Sequence, residues 1–241
     1  MAYRLGIDIG GTFTDFALVN STGFNEDAGT FAIHKQLTTP DDPSRAVLEG
    51  TANLLRRHGL DLGAVVEIVH GTTLVTNAVI ERKGARTGLL TTRGFGDILD
   101  MRQEKRYDVF DLRLVFPDPL VPRRRRGEVD ERCHYDGTIE VPLDLAGARA
   151  ALDHLVQEER IEALAICLLH GYANPAHEQA LGEMAAAAYP DLAVSLSSEV
   201  CPEWREFERF TTTTINAFTQ PMFDQNLRRL EMGLKELGFG G

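Results

Sequence analysis

The sequence predicts an α/β protein. Three observations point there. Short β-branched runs alternate with helical stretches along most of the chain. The first two runs are joined by a glycine-pair turn, Asp8-Ile-Gly-Gly-Thr-Phe-Thr-Asp15, tight enough for a hairpin. With 241 residues, 43% apolar and 25% charged, the chain has material for one large domain or two small ones around a substantial core.

The elements follow in order. Arg4 to Ile9 alternates and is β-branched at Ile7 and Ile9, as a strand requires. Thr14 to Val19 reads as a second strand and Gly29 to Leu37 as a third. Thr38-Thr39-Pro40-Asp41-Asp42-Pro43 is a turn. It feeds a helix from Pro43 to His58, with proline near its start and Gly59 at its stop. Val65 to Val69 reads as a buried strand ending in His70-Gly71-Thr72-Thr73, and a helix runs from Leu74 to Lys83. Thr87 to Thr91 is the next strand, and a short helix begins within Gly94 to Asp100. Residues 101–142 lose this regularity and read as an irregular or β-rich insertion. A helix over Leu145 to Glu159, a strand over Ala163 to Leu169, a helix over Pro175 to Ala188 and a strand over Ala193 to Ser197 restore it. A long helix over Thr213 to Leu237 closes the chain. The reading divides the chain into a domain over 1–210 and a C-terminal helical segment over 211–241.

Charge and composition exclude several classes. Lys and Arg number 25 against 36 Asp and Glu, a net charge of −11. Such a chain repels phosphate backbones, so no nucleic-acid partner is expected. The four arginines Arg123 to Arg126 read as a solvated or locally ion-paired segment, with Asp118, Glu128 and Asp130 nearby. No run is long enough for a bilayer span, and the N-terminus lacks the apolar stretch of a signal peptide. No membrane partner is therefore expected. Cys133, Cys167 and Cys201 have no metal-type spacing and read as reduced thiols of a cytoplasmic protein.

The glycine-pair turn carries chemistry. Without Cβ atoms, backbone amides can converge on one anionic group. Thr12 and Thr14 add hydroxyls. Asp8 beside a phosphate calls for a cation between them, and Mg²⁺ binds phosphates together with one or two carboxylates. A tight hairpin with solvent-facing carboxylates is the plainer alternative. A strand rather than a helix follows the glycines, so the turn is neither a P-loop nor a dinucleotide-binding turn. The second candidate stretch starts at His70. A strand-to-helix junction offers free N–H groups to an anion, and Thr72, Thr73, Thr76 and Asn77 add polar side chains. Here too a plainer alternative stands: Thr72 or Thr73 caps the helix and His70 is a satisfied buried histidine.

Gly6-Ile-Asp-Ile-Gly-Gly-Thr12 resembles the first phosphate loop of the actin, Hsp70 and sugar-kinase superfamily of ATPases. The longer Gly-Gly-Thr-Phe-Thr-Asp15, the stretch from His70 to Asp97, and the segments 168–178 and 198–216 are similar to the hydantoinase A/5-oxoprolinase family, which includes carboxylase subunits for acetone and acetophenone. The resemblance implies a ribonuclease-H-like, actin/Hsp70-type ATPase domain: a mixed sheet with an N-terminal β-hairpin and flanking helices. It implies ATP and Mg²⁺ as cofactors and a cyclic amide, a hydantoin or 5-oxoproline, as substrate. The amide oxygen would be phosphorylated to make a leaving group for water. In this reading Asp8 holds the metal, Gly10, Gly11, Thr12 and Thr14 hold phosphate, and Asp15 orients the loop. His70, Thr72, Thr73 and Asn77 face the substrate or the transferred phosphate. A second subunit of the hydantoinase B type is implied as partner. A ketone carboxylase subunit, a sugar kinase and a non-catalytic domain are the rival readings. The resemblance covers the N-terminal part of the family, and no second glycine-pair loop appears before Gly240-Gly241. The expectation is an N-terminal domain carrying half of an ATP site.

Overall fold

The computed structural model describes residues 2–20, 32–103 and 108–240. The chain forms two compact units, one of residues 1–83 with 222–241 and one of residues 84–221.

The first unit is built on strands β1 (Tyr3–Ile9), β2 (Phe13–Asn20), β3 (Ala32–Leu37) and β4 (Val65–Thr72), with helices α1 (Pro43–Arg57) and α2 (Leu74–Glu81). The sheet order is β3-β2-β1-β4. The first three strands are antiparallel, and β4 lies parallel to β1. Strict alternation sends Leu5, Ile7, Ile9, Phe16 and Leu18 to one face. There they pack with Val47 and Leu54 of α1. Gly50 permits this closeness: a Cβ at that position would lie 2.2 Å from Cζ of Phe16. The third strand was expected from Gly29, and residues 29–31 lie outside the described set. The expectation of a buried strand at 65–69 needs correction. β4 continues to Thr72 and forms one edge of the sheet, packed on one face only, so Val66 and Val69 are 53% and 59% exposed.

The second unit contains β5 (Thr87–Thr92), the single-turn α3 (Ile98–Met101), β6 (Arg126–Val129), the small ribbon β7 (Arg132–Cys133) and β8 (Ile139–Val141), α4 (Leu145–Gln157), β9 (Ala163–Cys167), α5 (Ala176–Ala188), β10 (Ala193–Leu196) and α6 (Ser197–Val200). Its main sheet, β10-β9-β5-β6, is wholly parallel. Every residue of β5 and β9 is buried, as a strand with both faces covered must be. The 101–142 stretch thus supplies one strand of this sheet and a separate ribbon.

Helix α7 (Glu206–Glu236) begins seven residues before the expected Thr213. Thr213 and Thr219 lie inside the helix, where their hydroxyls donate to the carbonyls four residues back at 2.7 and 2.8 Å. Back-bonding of this kind lets threonines occupy a helix interior despite their preference for caps. Its residues up to Pro221 belong to the second unit and those from Met222 to the first.

The second unit buries charged residues. Glu178 lies in the first turn of α5. It is fully buried, accepting from the Leu168 amide (2.8 Å), the Ser198 amide (2.8 Å) and the Ser197 hydroxyl (2.6 Å). Arg209, in the first turn of α7, does not face solvent. It is fully buried instead, donating to the carbonyls of Leu168 (2.6 Å) and Glu203 (3.1 Å) and to Ser197 Oγ (3.2 Å). The arginine run is ion-paired as expected, with Arg123 on Asp97 (2.7 Å) and Glu128 (3.1 Å), Arg124 on Glu159 (3.3 Å), and a buried Arg126 on Asp100.

Truncation of Glu178 to alanine would strand two amides, a hydroxyl and a nearby buried guanidinium. The expected loss is about 3–5 kcal/mol in urea unfolding, since a buried charge left uncompensated costs that much. Gly50→Ala is expected to cost about 1–3 kcal/mol by forcing Phe16 aside. An unchanged midpoint in either variant would contradict the packing described.

Candidate phosphate-binding site

The turn joining β1 and β2 is braced by its carbonyls. The Gly10 amide donates to Phe13 O at 2.9 Å, the Thr38 amide to Thr12 O at 2.9 Å, and the Thr38 hydroxyl to Gly10 O at 2.9 Å. The Gly11 and Thr12 amides have no protein partner among the described residues, nor does the exposed Thr12 hydroxyl. A turn with engaged carbonyls and free amides suits an anionic oxygen. Neither Gly10 nor Gly11 has a positive φ, so left-handed backbone is not the reason for the glycines. Close approach is. A Cβ on Gly10 would lie 3.0 Å from Phe13 O, and one on Gly11 would lie 3.2 Å from Asn77 Nδ2.

Parallel pairing of β1 with β4 brings the second motif to this turn. Asp8 stands opposite Gly71 and Ile9 opposite Thr72. The Thr73 amide donates to Ile9 O at 3.2 Å. Thr73 Oγ1 also donates to Ile9 O, at 3.4 Å, and accepts from Asn77 Nδ2 at 3.2 Å. Thr72 Oγ1 accepts from the Leu74 amide at 3.0 Å, closing the turn into α2. The threonines therefore fasten the junction, and the side chain of the N-cap residue Thr73 caps no helix amide. Gly10, Gly11, Thr72 and Asn77 line one recess.

The two faces of the sheet separate the remaining candidates. Asp8 and Asp15 are direct cross-strand neighbours on the outer face and line a shallow groove there with Gly71. Asp15 is bound by Lys35 at 2.8 and 3.0 Å. Asp8 is exposed and makes no hydrogen bond or ion pair among the described residues. Carboxylates directly opposite each other repel, and a cation relieves that. Gly71 flanks the Asp8 carboxylate, and a Cβ there would lie in ordinary contact with it, 3.6 Å from Oδ1. No group of three or more metal-ligating side chains occurs among the described residues. One or two carboxylates are all that Mg²⁺ needs when phosphates supply the other oxygens, so the donor set fits that ion.

Thr14 points the other way. It is fully buried, and its hydroxyl bonds that of Thr38 at 3.0 Å, which holds the turn from beneath. His70 stands opposite Ile7, on the face carrying Leu5 and Ile9. It is half-buried, and its Nε2 is buried without a hydrogen-bond partner. Burial holds the imidazole below its ordinary pKa, with the Asp8 charge partly opposing the shift. His70 is thus neutral at pH 7 and can donate or accept a single hydrogen bond. Sequence reasoning missed Thr38, the brace of the β1–β2 turn, because its stretch of threonine, proline and aspartate read only as a connecting turn. It also missed Lys35, whose position opposite Asp15 depends on strand register. Asp97, which precedes α3, makes no capping bond and pairs with Arg123 in the second unit.

Comparison with known proteins gives the family of the chain. The chain is 36% identical over 242 residues to the alpha subunit of caprolactamase from Pseudomonas jessenii, covering 98% of this chain and 34% of that subunit. It is 30% identical over 267 residues to 5-oxoprolinase of Saccharomyces cerevisiae, covering 96% of this chain and 20% of that protein. The solved structure of the ATP-dependent caprolactamase from Pseudomonas jessenii matches 98% of the chain with a TM-score of 0.85 at 36% identity, over 34% of its own chain. A nucleotide-free acetone carboxylase from work on ATP-dependent acetone carboxylation matches with a TM-score of 0.82 at 28% identity, covering 98% of this chain and 34% of that one. The chain thus spans at most about a third of the length of these relatives. The family model of the hydantoinase/oxoprolinase N-terminal region matches residues 4–189, and the chain belongs to that family.

Proposed function

We propose that this chain is the N-terminal, phosphate-gripping part of an ATP-dependent hydrolase that opens a cyclic amide. The observation that carries the reading is the glycine-pair turn, with two unpartnered amides, held against the β4–α2 junction beside an unpaired Asp8. The order β3-β2-β1-β4 with its leading hairpin supports an actin/Hsp70-type, ribonuclease-H-like architecture for the first unit. In such an enzyme ATP supplies a phosphoryl group to the amide oxygen, which makes the ring carbon of an otherwise unreactive lactam open to water.

The residues divide the work. The Gly11 and Thr12 amides and the Thr12 hydroxyl hold phosphate oxygens. Asp8 takes Mg²⁺, with Asp15 kept in place by Lys35. Thr14 and Thr38 fix the turn from below. Asn77 orients the amide, and neutral His70 offers one hydrogen bond without adding charge. Overall one lactam, one ATP and two waters become the ring-opened amino acid, ADP and phosphate. A partner subunit is part of the proposal, since the caprolactamase relative is itself named a subunit. A cytoplasmic location agrees with the three free cysteines. The higher identity to caprolactamase than to acetone carboxylase favours amide opening over ketone carboxylation. ATP hydrolysis stimulated by hydantoin, 5-oxoproline or caprolactam supports this reading, and stimulation by ketone plus bicarbonate alone overturns it.

Asp8→Asn and Gly11→Val, made in the protein with its partner subunit, are expected to lower amide-stimulated ATP turnover by about 100-fold or more. Their melting temperatures should stay within a few degrees of wild type, and retained turnover would count against the turn. His70 gives a pH test. Its folded pKa is depressed, so below the ordinary histidine range the unfolded chain binds more protons than the folded one. Its contribution to stability is complete above that range and declines as pH falls through it toward the depressed folded pKa. Urea midpoints across this window should fall less steeply in His70→Gln, and identical slopes would contradict the buried neutral imidazole.

A further inference from the structure

A recess of about 180 Å³ opens beside the glycine-pair turn, wholly within the first unit. Its walls are mainly apolar, with Ile9, Leu74, Ala78 and Met222 among them. Its polar contribution comes from Thr38, Thr72, Asn77, the turn itself and the ion pair of Glu81 with Lys83. Sites for drug-sized molecules run to about 300–1,000 Å³, so this one holds a single small ring.

Two features define the chemistry of that ring. Asn77 commits its Nδ2 to Thr73, while its Oδ1 has no partner among the described residues. A carbonyl oxygen at the edge of an apolar recess accepts an N–H, which a lactam has and a simple ketone lacks. Among the described residues Lys83 is the one cation lining the recess; it is paired at 2.7 Å with Glu81, which lines the recess too, and both are largely exposed. A carboxylate on the ring would therefore lose water without gaining a free counter-charge.

We infer that this recess seats the ring of an uncharged small lactam, with its N–H on Asn77 and with Leu74 and Met222 setting the ring size admitted. The inference rests on the amide-opening reading given above and narrows its substrate class. Hydantoins and unsubstituted lactams are substrates, and 5-oxoproline, with its carboxylate, is a poor one.

Amide-stimulated ATP turnover by the protein with its partner subunit tests this, with hydantoin, 2-pyrrolidinone, caprolactam and 5-oxoproline as probes. Leu74→Ala or Met222→Ala should raise kcat/KM for caprolactam relative to hydantoin by about tenfold, chiefly through KM, as one or two methylenes of pocket space allow. An unchanged ratio in both variants overturns the inference. So does a wild-type preference for 5-oxoproline that Lys83→Ala abolishes, since Lys83 would then serve the carboxylate. If no amide stimulates ATP turnover, the amide-opening reading fails on its own. The recess is then judged by saturation-transfer NMR of 2-pyrrolidinone with nucleotide-free protein. Signal lost when the recess is filled by Ala78→Leu, or by Leu74→Phe at a less buried position, sustains it. Equal signal in a folded filling variant overturns it.

Discussion

The parallel pairing of β1 with β4 is the constraint on which the candidate site depends. Asp8 and Gly71 are more than sixty residues apart in sequence, and neither motif is a site by itself. The ladder places them side by side and ends where Ile9 O receives the Thr73 amide. The turn, the junction and the first turn of α2 then share one set of hydrogen bonds. Closing a loop of this length costs chain entropy that grows only slowly with length. Burial of Leu5, Ile7 and Ile9 beneath the sheet offsets it.

The sheet also sorts chemistry by face. Alternation along β1 and β4 puts the carboxylates outward and the histidine, the threonine hydroxyls and the recess inward. A cation held by Asp8 and a substrate held near Asn77 would thus approach the turn from opposite sides of the same strands. Only the backbone of the turn, which belongs to neither face, is open to both. A side chain at Gly10 or Gly11 would crowd the Phe13 carbonyl or the Asn77 amide, so the turn presents its backbone there.

Much of this was legible in the sequence, and what was not had a physical reason. The hairpin, α1, β5 and α4 follow from local periodicity and punctuation, and their bounds shift by only a few residues. The turn and the His70 junction were visible because glycine pairs and threonine clusters are costly without a purpose. Register was not legible. Nothing local to Lys35 says that it faces Asp15, or that Thr38 reaches under the turn to Thr14. The exposure of Val66 and Val69 depended on β4 being an edge, which is a property of the whole sheet. The start of α7 was expected at Thr213 rather than Glu206 because the hydroxyl bonds of its threonines to preceding carbonyls form only once the helix exists.

In the second unit, one serine oxygen joins distant parts of the chain. Ser197 Oγ donates to Glu178 and accepts from Arg209, while both charged groups also hold the end of β9 at Leu168. Strand β9 and helices α5, α6 and α7 are therefore tied to a single dry junction. None of them can peel away without exposing an uncompensated charge to a low-dielectric interior. Local fraying is suppressed there, and the amides around Leu168 and Ser198 exchange with solvent only when the unit opens as a whole. The junction makes the folding of these segments cooperative, so they are gained or lost together.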